Sequence, residues 1–131
     1  MNIAWFRNTP LERAGSFDET AAAIGALRSA HTIRIVTAAE ADEFVWRNHH
    51  EPVSLCVFEL DGEPDSAFIW PYLFRYPGLA IISGGSVHNA RAAMLQQQAR
   101  HDEYRAEFVF NEGHLPPERY KILPRGSWTN W

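Results

Sequence analysis

Cysteine is almost absent from this chain: Cys56 is the only one among 131 residues. A single thiol excludes an intramolecular disulfide framework and a cysteine-based zinc cluster. Long apolar runs are missing too. No stretch approaches the ~18–20 apolar residues of a membrane span. The opening Met1-Asn2-Ile3-Ala4-Trp5-Phe6 has too short an apolar run, and no basic flank, for a signal peptide. Positive charge is also scarce, with 12 basic against 16 acidic residues and a formal net charge of −4. That balance argues against general nucleic-acid binding and gives no polybasic segment for an anionic membrane surface. These absences predict a soluble cytoplasmic protein in a reducing compartment, with no nucleic-acid partner and no membrane span. Internal repeats and low-complexity linkers are absent as well.

What is present fits one globular domain. The apolar fraction is 46% and the charged fraction 21%, which is ordinary for such a domain. A chain of this length buries about two thirds of the surface its unfolded form exposes, so it needs no disulfide or metal staple. Aromatic residues make up 13%, with tryptophan at positions 5, 46, 70, 128 and 131. Such residues fill cores and grooves. In the tail, Trp128 and Trp131 are candidates for an exposed interface.

Apolar patterning divides the chain into alternating strands and helices. Asn2–Phe6 reads as a short buried strand, and Arg7–Gly15 as a loop broken by Asn8-Thr9-Pro10 and Ala14-Gly15. Ser16-Phe17-Asp18-Glu19 is a capping box, which predicts a helix from Phe17 to about Ala30. Thr20, Ala23, Ile24 and Leu27 fall on one face of it, and its small alanines suggest close packing on a sheet. His31–Thr37 reads as a second strand and Ala39–Asn48 as a short helix. Val53–Leu60 is the strongest strand, and its near-continuous apolarity suits a central position covered on both faces. Pro64 suits the first turn of the next helix, and Pro71 predicts a kink or break inside it. Leu79–Ile82 is a short apolar strand. Ser83-Gly84-Gly85-Ser86 is a turn with Ser86 as a helix cap, before helices over Val87–Arg100 and His101–Val109.

Strands alternating with helices predict an α/β fold: a single Rossmann-like domain over residues 1–115, followed by a Pro- and Trp-containing tail over 116–131. Right-handed crossovers favour a parallel sheet of about four strands in the order 2-1-3-4, with helices on both faces. Ligands of such sheets sit at the carboxyl ends of the strands, near the point where the strand order reverses. Here those ends are the loops after Phe6, Leu60 and Ile82.

Each of these loops offers a candidate. Gly15 and Ser16 precede a helix whose free amides can take an anion, although the G-x-G-x-x-G spacing of a dinucleotide site is absent. Asp61, Glu63 and Asp65 follow the central strand, where a carboxylate can orient a sugar hydroxyl or simply complement a helix dipole. Ser83, Gly84 and Gly85 allow close backbone approach, but no Walker lysine accompanies them. His49-His50-Glu51 lacks a third or fourth metal ligand, so no metal is expected. No cofactor is expected either. Cys56, mid-strand, reads as a small buried hydrophobe.

Several segments together resemble the N-terminal, acceptor-side half of bacterial GT-B retaining glycosyltransferases, the large family four or group one. They are Ile3-Ala4-Trp5-Phe6 through Pro10 to Gly15, and Leu60-Asp61-Gly62-Glu63-Pro64-Asp65-Ser66 leading into Ala67-Phe68-Ile69. They continue with Leu73-Phe74-Arg75-Tyr76-Pro77-Gly78, Ile82-Ser83-Gly84-Gly85-Ser86-Val87-His88, and Tyr104-Arg105-Ala106-Glu107-Phe108 with Phe110-Asn111. Arg75-Tyr76-Pro77-Gly78 is the most specific block. The resemblance implies a former acceptor cleft lined by Gly15, Ser16, Asp61, Gly62, Ser66, Ser83, Gly84, Gly85 and His88. The family's paired His and Asp before the helix become Ser83 and Gly84. Its histidine in the turn after the third strand becomes Ser66, and its Gly-Asn becomes Asp61-Gly62. Only His88 keeps its type, and serine cannot supply imidazole acid–base chemistry near neutral pH.

The resemblance further implies that nucleotide-sugar binding and the paired glutamates belong to a second Rossmann domain, which the chain is expected to lack. The expectation is therefore a glycosyltransferase-like half-domain that is not catalytic alone and acts as a binding or accessory module for a sugar-like small molecule. Two alternatives stand beside it. One is the acceptor-binding half of a split glycosyltransferase completed by a second chain. The other is a structural module that self-associates, a homodimer being the simplest form.

Overall fold

The computed structural model describes residues 1–15, 18–83 and 87–114. Its centre is a four-stranded parallel sheet: β1 (Asn2–Phe6), β2 (Thr32–Val36), β3 (Leu55–Leu60) and β4 (Gly78–Ile82), in the order β2-β1-β3-β4. The registers are continuous. Trp5 lies beside Ile35 on one side and Val57 on the other, and Phe58 lies beside Ala80. This is the α/β, Rossmann-like arrangement that the strand–helix alternation predicts.

Period-two alternation sends odd-numbered side chains of β1 and β3 to one face and even-numbered ones to the other. Ala4, Phe6, Val36, Cys56, Phe58 and Leu60 build the larger core with Ala41 and Phe44 of helix α2 (Ala41–His50) and with Ile69. Phe6 is its hub. Its ring meets Phe44 edge-on at 4.9 Å and stacks on Phe58 at 5.0 Å. The opposite face carries Ile3, Trp5, Ile33 and Val57 under Ile24 of helix α1 (Glu19–Leu27). Helices thus lie on both faces.

Local chemistry moves several boundaries. Helix α1 starts at Glu19, and its cap is Asp18, whose carboxylate accepts the Ala21 amide at 2.8 Å. The expected start at Phe17 with a Ser16 cap is corrected accordingly, although Ser16 itself lies outside the described residues. The Asp18 carboxylate is also held by Arg7. The alanines of α1 do not pack closely: Ala22, Ala23 and Ala26 are exposed, and Ile24 is the one buried residue of the helix. The segment after β3 divides where Pro71 predicts a break. Pro64–Ile69 is 3-10 helix, and α3 (Trp70–Arg75) is α-helix with Pro71 in its first turn. There the missing amide costs nothing.

Helix α4 (His88–Gln97) has Val87 at its cap position, without a side-chain cap. The expected cap, Ser86, lies outside the described residues. Ala99, at φ 55, breaks the chain between α4 and α5 (His101–Glu112). α4 seats Met94 and Leu95 on Ala67, with Trp70 and Tyr104 alongside. It packs on the Pro64–Ile69 turn and not on β4, of which Leu79 is 59% and Ile82 61% exposed. No helix of the described residues is long and apolar enough to cross a membrane.

Candidate functional site

The carboxyl edge of the sheet is charged where β1 and β3 part. Arg7 follows β1 directly, and Glu59 is the penultimate residue of β3; both project to the face that α1 covers. Arg7 is 2% exposed. Its Nη2 donates to Asp18 at 2.5 Å, and its Nε lies 3.4 Å from Glu59 Oε2, within ion-pair reach but without hydrogen-bond geometry. Thr20 Oγ1 lies 2.8 Å from both Asp18 Oδ1 and Glu59 Oε1, and Trp5 Nε1 donates to Glu59 at 3.2 Å. Burial works to raise the Asp18 pKa. The Ala21 amide, the Arg7 and Thr20 hydrogen bonds and the Arg7 charge outweigh it and hold the group at about 2.

This cluster ties β1, β3 and α1 together. One guanidinium faces two carboxylates, and the Asp18 carboxylate already occupies the α1 N-terminus. An anion there would meet negative charge where the free amides of the helix would otherwise attract it. Gly15 accepts the Asp18 amide through its carbonyl, and a Cβ at Gly15 would meet nothing within 4 Å.

The turn after β3 brings three expected residues together. Asp61 Oδ1 accepts the Glu63 amide at 3.0 Å, Gly62 takes the left-handed φ of 78°, and Ser66 Oγ donates to the Glu63 carbonyl at 2.7 Å. Ser66 is fully buried, so its hydroxyl serves the turn. Ser83 extends the sheet, its amide donating to the Leu60 carbonyl at 2.9 Å. Gly84 and Gly85, like Ser16, Trp128 and Trp131, lie outside the described residues.

His88 sits elsewhere, at the start of α4, in a groove of about 600 Å³ between α3, α4 and α5. Trp70 and Phe74 of α3 form one wall, with ring centroids 5.9 Å apart. The Arg91 guanidinium lies over both rings, 5.5 Å from Trp70 and 5.2 Å from Phe74. It also forms a bidentate pair with Glu107 of α5, Nε donating to Oε2 at 3.0 Å and Nη2 to Oε1. His88 meets Tyr104 and Phe108 on the opposite side. Burial lowers the His88 pKa, against a weaker upward pull from Glu112. The imidazole is therefore neutral at pH 7, able to give and to accept a hydrogen bond.

The groove thus combines aromatic faces with a positioned cation, a carboxylate and a neutral imidazole. That is the make-up of a small-molecule site: mostly apolar walls with a few convergent polar groups. Of its lining, the sequence marked only His88 as a site residue; Phe74, Tyr104, Glu107 and Phe108 entered only within the segments of family resemblance. Arg91 and Glu107 stand sixteen positions apart on separate helices, and no spacing rule joins them. Arg7 and Glu59 did carry a signal, as charges at the ends of otherwise apolar strands. Fold and groove together define a Rossmann-like α/β unit with a lateral, aromatic-lined pocket. No family model matches the chain, and no curated protein or solved structure matches it.

Proposed function

We propose that this chain is a glycosyltransferase-like carbohydrate-binding unit, the acceptor-side half of a two-domain architecture, and that it transfers no sugar by itself. The observation that carries this reading is the composition of the α3–α4–α5 groove. A pyranose ring presents an apolar face and a rim of hydroxyls. Phe74, 66% exposed, offers a ring for that face, while Arg91 donates and Glu107 accepts at the rim. His88, the residue that keeps its type in the family resemblance, lines the same groove. The parallel 2-1-3-4 sheet agrees with the architecture. Retaining transfer also calls for a nucleotide-sugar site and paired glutamates, which the resemblance assigns to a second domain. The described residues form one such unit, and the lining of its groove supports binding of a sugar.

The test is an NMR titration of the full chain with methyl glucoside and with glucuronate. Shifts are expected at the Trp70 indole and the Arg91 guanidinium. Phe74→Ala should weaken binding about tenfold, about 1.4 kcal/mol. No shift at those groups at millimolar sugar would overturn the reading, as would sugar transfer from a nucleotide-sugar by the purified chain alone. Transfer that appears only when a second, donor-binding chain is added would identify a split enzyme.

A further inference from the structure

The sheet has two edges, and they are built differently. β2 is packed on both faces, with Ile33 and Val36 buried. Its central residue is Arg34. Pairing β2 with its own copy about that centre would set one guanidinium opposite another, which is unfavourable. β4 reads Gly78-Leu79-Ala80-Ile81-Ile82. It holds no charge and no proline, and among the described residues no strand lies on its far side. Four of its five residues are exposed. Natural edge strands are usually blunted by charge, proline, a bulge or a covering element. Among the described residues β4 carries no charge, no proline and no covering strand; Pro77 stands just before it.

We infer that β4 pairs antiparallel with β4 of a second copy, joining two sheets into one of eight strands. The uncharged strand matches its own reverse in side-chain size. A two-fold axis through Ala80, perpendicular to the sheet, places residues 78, 79 and 80 opposite 82, 81 and 80 of the second copy. On the α1 face Leu79 then meets Ile81. On the other face Ile82 lies over Gly78, which has no side chain, and Ala80 meets Ala80. Each large residue faces a small or apolar one, and no like charges oppose. Gly78 cannot be larger for a separate reason: a Cβ there would lie 2.2 Å from the Cys56 carbonyl oxygen. The pairing supplies main-chain hydrogen bonds to outward-pointing groups of β4 and sets Leu79 against Ile81 of the second copy. It is independent of what the groove binds.

Sedimentation of the full chain over a concentration series tests this. The wild type should approach twice the 15.0 kDa chain mass. Ala80→Lys, which puts two ammonium groups face to face, should sediment as a monomer with an unchanged circular-dichroism spectrum. Arg34→Thr should leave the dimer intact. Hydrogen exchange on the wild type needs no variant: amides of residues 78–82 should exchange about tenfold more slowly at high than at low protein concentration. A monomer at every concentration overturns the inference. So does a dimer that survives Ala80→Lys, or one in which β4 exchange is independent of concentration.

Discussion

At the scale of single residues, the most informative side chain is Arg7. A guanidinium 2% exposed is costly to desolvate, and Asp18 and Glu59 offset that cost. Removing one partner of such a group leaves uncompensated charge. Arg7→Ala should therefore destabilise the fold by about 3–5 kcal/mol in urea denaturation, and Arg7→Met, which keeps the stem, by less. The cluster also sets a pH dependence. Asp18 is held at about 2, below its ordinary 3.8. A carboxylate depressed on folding contributes stability that is complete above its unfolded pKa and is lost as pH falls through the folded one. Acid unfolding should therefore steepen between 3.8 and about 2, and Asp18→Asn should flatten that limb. A titration curve that is unchanged in Asp18→Asn would show that the Arg7 pairing adds nothing to stability.

At the scale of elements, α1 and β4 depart furthest from what their sequences suggest. The alanines of α1 look like a close-packing face, yet the helix holds the sheet through Ile24 and through the Asp18 cap. Ile24→Ala should cost about 2–5 kcal/mol, and hydrogen exchange should show the loss concentrated in residues 19–27. A loss spread evenly over the sheet would mean that α1 is not a separable unit. The Pro64–Arg75 segment behaves as its prolines dictate, since each proline sits where a helical turn begins. β4 is as apolar as β3, but the two have different surroundings. β3 lies between β1 and β4 with cores on both faces, whereas β4 lies at an edge that α4 does not cover.

At the scale of the whole molecule, two surfaces stand away from the carboxyl edge where ligands of such sheets usually lie. The groove between α3, α4 and α5 is the site we propose for a carbohydrate, and the β4 edge the one we propose for a second copy. The sugar titration and the sedimentation series therefore probe different faces, and either can fail without the other. At the carboxyl edge, among the described residues, Asp18 caps α1, Ser66 closes the turn after β3, and Arg7 binds β1 to β3.

By itself, the sequence determined the element types, the parallel order β2-β1-β3-β4 and the centrality of β3. These follow from apolar periodicity and from the short, right-handed connections that such periodicity allows. It also marked Pro71 as a break and Cys56 as a buried thiol, which burial pushes up to about 11. Only the tertiary structure decided which charges meet. Arg7 finds Glu59 across adjacent strands, and Arg91 finds Glu107 across two helices, at separations no local pattern encodes. It also decided that α4 packs onto the Pro64–Ile69 turn and not onto the apolar edge strand β4. The physical reason is the same in each case. Local propensity sets the shape of an element, but contacts between elements depend on how whole faces pack, and a single position in the chain carries no record of its distant neighbour.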